Sequence, residues 1–407
     1  MNILMISPGY PSQMPAFAEA LAATGARVFG IGDQPESSLP DRARRAVTAH
    51  LQVRDLWDEG SVIGRVMDEM RKNGVRFHRI ECLWEPGMGL AARLREALGV
   101  PGLGYSATEG FRDKEVMKRR LDAAGLRTPR HAVARTKDEI RRFAGPIGFP
   151  LIVKPIAGAG ATDTYRINSK EELESVLPRL GHVESVSVEE FIEGDEFTFD
   201  TICAGGRILF ENVAWYRTKP IEERKHQWVS PSCICLRDLD VPELAGGRKL
   251  GRQVLDALGF RDGFTHMEWF RKADGEVVFG EIAARPAGAN LVDAMNFASE
   301  VDLFRGWAEA VTHGRWTQPF ERKYNAAVVG KRAAGNGRIR AIRGLEKTLR
   351  ELGPAIAAVR MPAIGAPAGN WRRGSPSDGF VFVRHPDFET CVELADRVAR
   401  DIEILAG

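Results

Sequence analysis

The 407-residue sequence is short of several things, and each shortage excludes a class of protein. It has only five cysteines: Cys82, Cys203, Cys233, Cys235 and Cys391. Cys233 and Cys235 stand too close for an easy bridge within one strand, and no spaced second pair completes a zinc site. They read as reduced thiols, which excludes a disulfide scaffold. Excess charge of one sign is also lacking. The formal net charge is +2, without the concentrated basic patch that a nucleic-acid binder needs. Arg42-Ala-Arg44-Arg45 and Trp371-Arg372-Arg373 read as solvated surface or local anion contacts. No apolar run reaches membrane-spanning length. Met1 to Ser7 lacks a basic n-region and runs into Pro8, so it reads as a buried first strand and not a signal peptide. Internal repeats, low-complexity tracts and a G-x-G-x-x-G dinucleotide fingerprint are all missing. What remains is a globular chain, 44% hydrophobic, long enough for two or three domains. It is expected in a reduced, cytoplasmic compartment, with no nucleic-acid or membrane partner.

The most informative residues present are two glutamates, Glu268 and Glu281. They lie in the strand-like runs Phe264–Arg271 and Glu276–Ala283, separated by Asp274-Gly275, a two-residue hairpin signal. A two-residue turn pairs Ala273 with Glu276 and, counting outward, Glu268 with Glu281. Like charges opposite each other on a sheet repel. Two carboxylates so placed among apolar neighbours point to a cation between them. Few, hard oxygen ligands suit Mg²⁺ shared with a phosphate substrate, which makes the chain an expected ATP user. The alternative is a solvated hairpin face carrying two unrelated acids.

The first hundred residues alternate strands (Asn2 to Ile6, Arg27 to Ile31, Phe77 to Trp84) with helices (Met14 to Thr24, Ser61 to Asn73, Gly89 to Leu98). This pattern predicts a doubly wound α/β region with a parallel sheet. The loop Ser7 to Gln13 follows the first strand, where open α/β sheets bind ligands. Pro101-Gly102-Leu-Gly104 marks a boundary. A charged helix, Thr108 to Ala124, then leads through Thr128-Pro129 into an α+β region. After Arg322 the pattern is that of a smaller α+β appendage, with a strand at Phe380 to Val383 and a final helix from Phe388.

Two segments could hold a nucleotide. Phe149-Pro-Leu-Ile-Val-Lys154-Pro155 is an apolar strand ending in a lysine, followed by a loop carrying Gly158 and Gly160. Such a loop can fold backbone N–H groups over phosphate oxygens; otherwise it is a flexible hairpin. Ser187 to Glu196 is an apolar strand entering an acidic turn. Read functionally, Glu189 and nearby backbone meet an adenine edge, Phe191 or Ile192 covers a ring face, and Glu196 meets the ribose. Read structurally, it is a solvated strand end.

The ordered set Asp113-Lys114, Val153-Lys154-Pro155, Gly158/Gly160, Glu189-Glu190-Phe191-Ile192-Glu193-Gly194 with Glu196, Glu268, and Glu281-Ile-Ala-Ala-Arg285 resembles the ATP-grasp superfamily over about the middle half of the chain. The flanking regions resemble its carboxylate–amine ligases, the group that includes L-amino-acid (dipeptide) ligases and carnosine-synthase-like enzymes. The resemblance implies four parts: an N-terminal α/β domain (1–104), a small ATP-grasp subdomain with the glycine-rich loop (105–187), a large subdomain with the metal site (188–322), and a C-terminal α+β subdomain (323–407). It implies that Lys114 and Lys154 contact the phosphates of ATP, that Glu189, Glu190, Phe191, Ile192 and Glu196 surround the nucleoside, and that Glu268 and Glu281 hold Mg²⁺, with Mn²⁺ an acceptable substitute. Arg285 would meet the carboxylate being activated, and His266 would point into the same site in a minor role. Many relatives carry asparagine where this chain has Ala283, so the number of metal ions stays open, with Asn290 a candidate source of the missing oxygen. The expected function is an ADP-forming ligase joining a carboxylate, expected to be an amino acid, to an amine. The rivals are a biotin carboxylase-like or purine-pathway ATP-grasp enzyme and a non-catalytic nucleotide-binding module. Substrate loops are expected at Trp215–Pro220 and His226–Ser230, and homodimerisation is left open.

Overall fold

A computed structural model of the chain describes residues 1–156, 164–180, 184–223, 226–371 and 377–407. The N-terminal region forms a four-stranded parallel sheet in the order Val47–Gln52, Arg27–Gly32, Asn2–Ile6, Arg79–Glu81. The strand Asn2–Ile6 is apolar from Ile3 to Ile6 because both of its faces are covered there. Ile3 and Met5 pack with Met14, Phe17 and Leu21 of the helix Met14–Ala23, while Leu4 and Ile6 pack with Val62, Val66, Leu90 and Leu94 of two helices on the other side. Phe17 also meets Trp307 edge-on at 5.2 Å between ring centroids, which ties this region to the helix Leu303–His313. At the carboxyl ends of the strands, Trp84 lies between Tyr10 and Trp57.

Two antiparallel sheets follow. The smaller has the order His131–Ala134, Val186–Glu190, Leu151–Pro155, Tyr165–Ile167. Two helices cover it, the first of which, Lys137–Ile147, starts in a Thr136/Glu139 capping box. The larger has nine strands, with Asp195–Ala204 pairing Gly263–Arg271, which in turn pairs Val277–Ala283. Arg127 joins the two sheets: its carbonyl accepts from Phe279 N at 2.9 Å, and its guanidinium pairs with Glu190 at 3.2 Å and Glu276 at 2.8 Å.

The expected alternation of the N-terminal region is present, with differences at its edges. The segment Asp41–Gln52 forms a short helix and an edge strand that the pattern did not announce, because the strand is half exposed and shows no alternation. The strand expected over 77–84 is ordered only at Arg79–Glu81. The helix expected over 108–124 is two helices, Tyr105–Glu109 and Lys114–Ala123. Asp113 divides them, its carboxylate accepting from the backbone N of Glu115 and Val116 at 2.9 Å. After residue 323 the chain does not stand apart. Asn325–Lys331 and Gly379–His385 extend the large sheet through Ser232–Cys235, while a separate three-stranded sheet collects Ala333–Ala334, Ile339–Arg343 and Glu403–Ala406.

The glutamate hairpin holds a finding of its own. Glu268 stands opposite Glu281, but not by the count that the sequence suggested. The turn has three residues, Ala273 to Gly275, closed by Lys272 and Glu276 (N to O, 2.9 Å). Arg271 therefore faces Val277 and Trp269 faces Phe279. A bulge at Gly280 then shifts the register by one residue and brings Glu281 opposite Glu268. A β-carbon on residue 280 would lie 2.8 Å from the Glu268 carbonyl oxygen, so the bulge needs glycine.

Candidate active site

Between the two antiparallel sheets lies a cavity of about 540 Å³. It is lined by Lys114, Lys154, Glu189, Glu190, Phe191, Ile192, Glu196, His266, Glu268, Glu281 and Arg285 among others. Of the described residues singled out from the sequence for nucleotide, metal or catalytic duty, all but Asn290 thus reach one enclosure. Gly158 and Gly160 lie outside the described residues.

The small-sheet wall is built around Glu189. Its carboxylate is buried between two ammonium groups: Lys154 Nζ at 2.9 Å, and Lys118, which donates to the other oxygen. Burial alone would raise the Glu189 carboxyl, but the two lysines hold it well below the usual carboxylate range. Lys154 is opposed by burial, yet Glu189, with Glu281 and Glu268 farther off, raises it above the ordinary lysine value. Burial lowers Lys118 in spite of its partners. The Glu189 side chain that the sequence assigned to an adenine edge is therefore engaged by lysines, and what it offers directly is a fixed position for Lys154. Arg166 covers the Phe191 ring at 4.1 Å.

The large-sheet wall carries the acids. Glu281 pairs with Lys114 Nζ at 2.9 Å. Glu268 Oε1 accepts from the Tyr216 hydroxyl at 2.9 Å and lies 3.6 Å from His266 Nε2. Burial opposes the charge on Glu268, but His266, Tyr216 and Lys114 bring it down to about 2. His266 Nδ1 meets Asp200 Oδ1 at 2.6 Å; burial works against the imidazolium, and Asp200 raises it to about 9. Glu196, buried and close to the charge of Glu268, is pushed well above the usual carboxylate range. Burial and the same charge raise the Tyr216 phenol.

Arg285 lines the same cavity, with Nε on Glu85 Oε2 at 2.9 Å and Nη1 on its neighbour's carbonyl, Pro286 O, at 2.9 Å. Asn290 is engaged elsewhere: its Oδ1 accepts from Arg360 at 2.7 Å, so the oxygen expected to replace the missing asparagine is occupied. Of the two expected substrate loops, Lys219 and Pro220 reach the cavity. Trp215 instead packs near Phe388, and Trp228 stacks on His226 with 78% of its surface exposed. Sequence reasoning missed Lys118, Asp200 and Glu85, and placed Tyr216 in a substrate loop where the structure sets its hydroxyl on Glu268.

No group of three or more His, Cys, Asp or Glu side chains able to hold a metal occurs among the described residues. The opposed pair Glu268 and Glu281, beside Lys114 and Lys154, does not make a resident metal cage. It does fit a hard cation that brings phosphate and water oxygens with it, since Mg²⁺ is commonly held by one or two carboxylates plus the substrate.

Residues 119–293 match the family model described as the ATP-grasp domain. The L-arginine-specific L-amino acid ligase of Bacillus subtilis is 29% identical over 249 residues, which cover 60% of this chain and 59% of that protein. Among solved structures, the L-amino acid ligase from Bacillus licheniformis superposes with a TM-score of 0.80 at 21% identity, covering 100% of this chain and 98% of the other. The N5-carboxyaminoimidazole synthetase from Staphylococcus aureus, complexed with ADP, gives 0.71 at 16% identity over 96% and 95%. At such identities the structural likenesses are ones of fold. The domain match takes in every cavity residue named above except Lys114.

Proposed function

We propose that this chain is an ATP-dependent, ADP-forming carboxylate–amine ligase that joins an amino acid to an amine. The observation that carries the reading is the single cavity in which Lys114 and Lys154, the Glu268–Glu281 pair and Arg285 converge. The match to an L-amino acid ligase supports the choice of substrate class.

A carboxylate is a poor acyl donor because oxide is a poor leaving group. In this reading a carboxylate oxygen attacks the γ-phosphorus of ATP, ADP departs, and an acyl phosphate forms. The amine nitrogen then attacks the carbonyl carbon, phosphate leaves, and a proton lost from nitrogen completes the amide. Lys154, braced by Glu189, and Lys114 supply positive charge for the phosphates; this is positioning and charge neutralisation, the main tasks in phosphoryl transfer. Glu268 and Glu281 would hold Mg²⁺, which when bound neutralises phosphate charge. Arg285 grips the carboxylate and stabilises the oxyanion of the second step.

The test is phosphate release scored over pairs of amino acids with ATP and Mg²⁺, with mass spectrometry of the product. One ADP per amide, and release only when carboxylate and amine are both present, are the expected results. AMP with pyrophosphate sinks the mechanism, and turnover dependent on bicarbonate alone moves the chain to the biotin carboxylase-like or purine-pathway chemistry.

A further inference from the structure

Asp200 is a fully buried aspartate on a central strand of the large sheet. Burying a carboxylate is costly unless it is paired and hydrogen-bonded, so its retinue needs a reason. Oδ2 accepts from the Thr198 hydroxyl at 2.6 Å and from Asn212 Nδ2 at 3.0 Å, and Oδ1 meets His266 Nδ1 at 2.6 Å. The sheet register puts His266 directly opposite Asp200, and Glu268 opposite Thr198. Side chains two apart on a strand share a face, so His266 and Glu268 stand side by side on the face lined by the cavity. The second ring nitrogen of His266 is 3.6 Å from Glu268 Oε1, the oxygen that Tyr216 also holds at 2.9 Å. Among the described residues Oε2 of Glu268 meets no partner. One oxygen is hydrogen-bonded by Tyr216 with the His266 ring nitrogen 3.6 Å away, and the other faces no such group.

We infer that Asp200 and Tyr216 are positioning residues that set the Glu268 carboxylate for a divalent cation, Asp200 through His266 and Tyr216 directly. This rests on the reading of Glu268 as a metal ligand. Carboxylate ligands are oriented by hydrogen bonds from behind, and loss of such a partner typically weakens metal affinity about tenfold to a hundredfold. Asp200 fixes which ring nitrogen of His266 faces its partner and which faces Glu268. Asn in its place keeps the shape but cannot anchor the ring as an ion.

The experiment titrates Mn²⁺ by electron paramagnetic resonance on the full chain with saturating ADP, and in parallel measures ADP affinity by calorimetry without metal. Asp200→Asn is expected to weaken Mn²⁺ about tenfold to a hundredfold, and Tyr216→Phe about tenfold, the worth of one hydrogen bond to a charged group. Metal-free ADP affinity should stay within about twofold in both, since neither residue meets the expected nucleotide wall. Unchanged Mn²⁺ affinity in both variants overturns the inference. So does an equal loss of metal-free ADP binding, which marks a merely structural role. Should Asp200→Asn not fold, Tyr216→Phe and His266→Gln carry the test by the same titration. A wild-type chain that takes up no Mn²⁺ with ADP removes the metal-ligand reading itself, whereas normal uptake that the variants leave untouched removes only the positioning role.

Discussion

The two walls of the cavity treat buried carboxylates in opposite ways. On the small sheet, Glu189 sits between Lys118 and Lys154, and its charge is compensated within the protein. On the large sheet, Glu196, Glu268 and Glu281 share Lys114, His266 and a phenol, and the compensation is incomplete: Glu196 is driven towards its neutral form by burial and by the charge of Glu268. One wall is compensated as folded, and in the proposed reading the other takes its counter-charge from a bound cation. A structural ion pair and a binding site differ here in who supplies the counter-charge, a distinction that strand patterns do not reveal.

The sharpest way to break this comparison is at Glu281. Glu281→Gln should fold normally and lose ADP formation by a factor of about a hundred or more. Because Glu281 also holds Lys114, relief of repulsion is offset by a lost pair, and the metal-free melting temperature should barely move. Full activity at ordinary Mg²⁺ would remove the metal assignment.

On the compensated wall the same chemical change acts on stability. Glu189→Gln takes from the buried Lys118 and from Lys154 their shared partner, with Glu115 still 3.6 Å from Lys118, and should cost about 3–5 kcal/mol. Because the folded-state value of Glu189 is depressed, its stabilisation is complete above the unfolded carboxylate value of about 4.3 and is lost as the pH falls through the folded value. Denaturation of wild type and variant should therefore converge only in strong acid. Convergence at pH 7 would mean that Glu189 is not compensating the lysines.

Third in size is Arg285→Lys, which keeps the charge and loses the planar guanidinium whose Nε is held by Glu85. A loss of about 2–4 kcal/mol in kcat/KM for the carboxylate is expected, roughly thirtyfold to a thousandfold, with calorimetric ATP affinity nearly intact. Collapse of ATP binding with unaltered carboxylate kinetics would place Arg285 at the nucleotide instead.

The smallest effect should have the opposite sign from that at Glu189. Glu196 is raised, so its contribution to stability is present below the unfolded value and lost as the pH rises through the folded one. Glu196→Gln should raise the metal-free melting temperature at pH 8 by roughly 1–3 °C, and the gain should vanish near pH 4. A fall at pH 8 would show that the wall is compensated after all.

The sequence made parts of this legible for identifiable reasons. Lys154, Glu189, Glu268 and Glu281 stand in ordered apolar strands, where a charge is conspicuous. Lys118 was hidden in a helix of alternating charge that looks solvated, although it lies four residues after Lys114 and so on the same face. Asp200 had a signal that went unused: Glu196, Thr198 and Asp200 recur with period two, separated by Phe197 and Phe199. Glu85 comes from the short 3₁₀ turn Glu85–Gly87 and Tyr216 from the short strand Ala214–Tyr216, and no local pattern announces what either one meets. The break at Asp113 and the edge strand Val47–Gln52 were missed because capping and half-exposed edges leave weak periodicity. The Glu268–Glu281 pairing was reached although the turn was counted one residue short, since the bulge at Gly280 cancels the error.

That cancellation bears on which length changes the hairpin can survive. A residue lost from Ala273–Gly275 leaves the closing pair Lys272 and Glu276 in place, and the two glutamates still meet. A residue added between Glu276 and Glu281 has no second bulge to absorb it and turns Glu281 towards the side where Trp269 is buried. Insertions and deletions should therefore accumulate freely at the tip of this hairpin, while the few residues on its return stroke keep a fixed length.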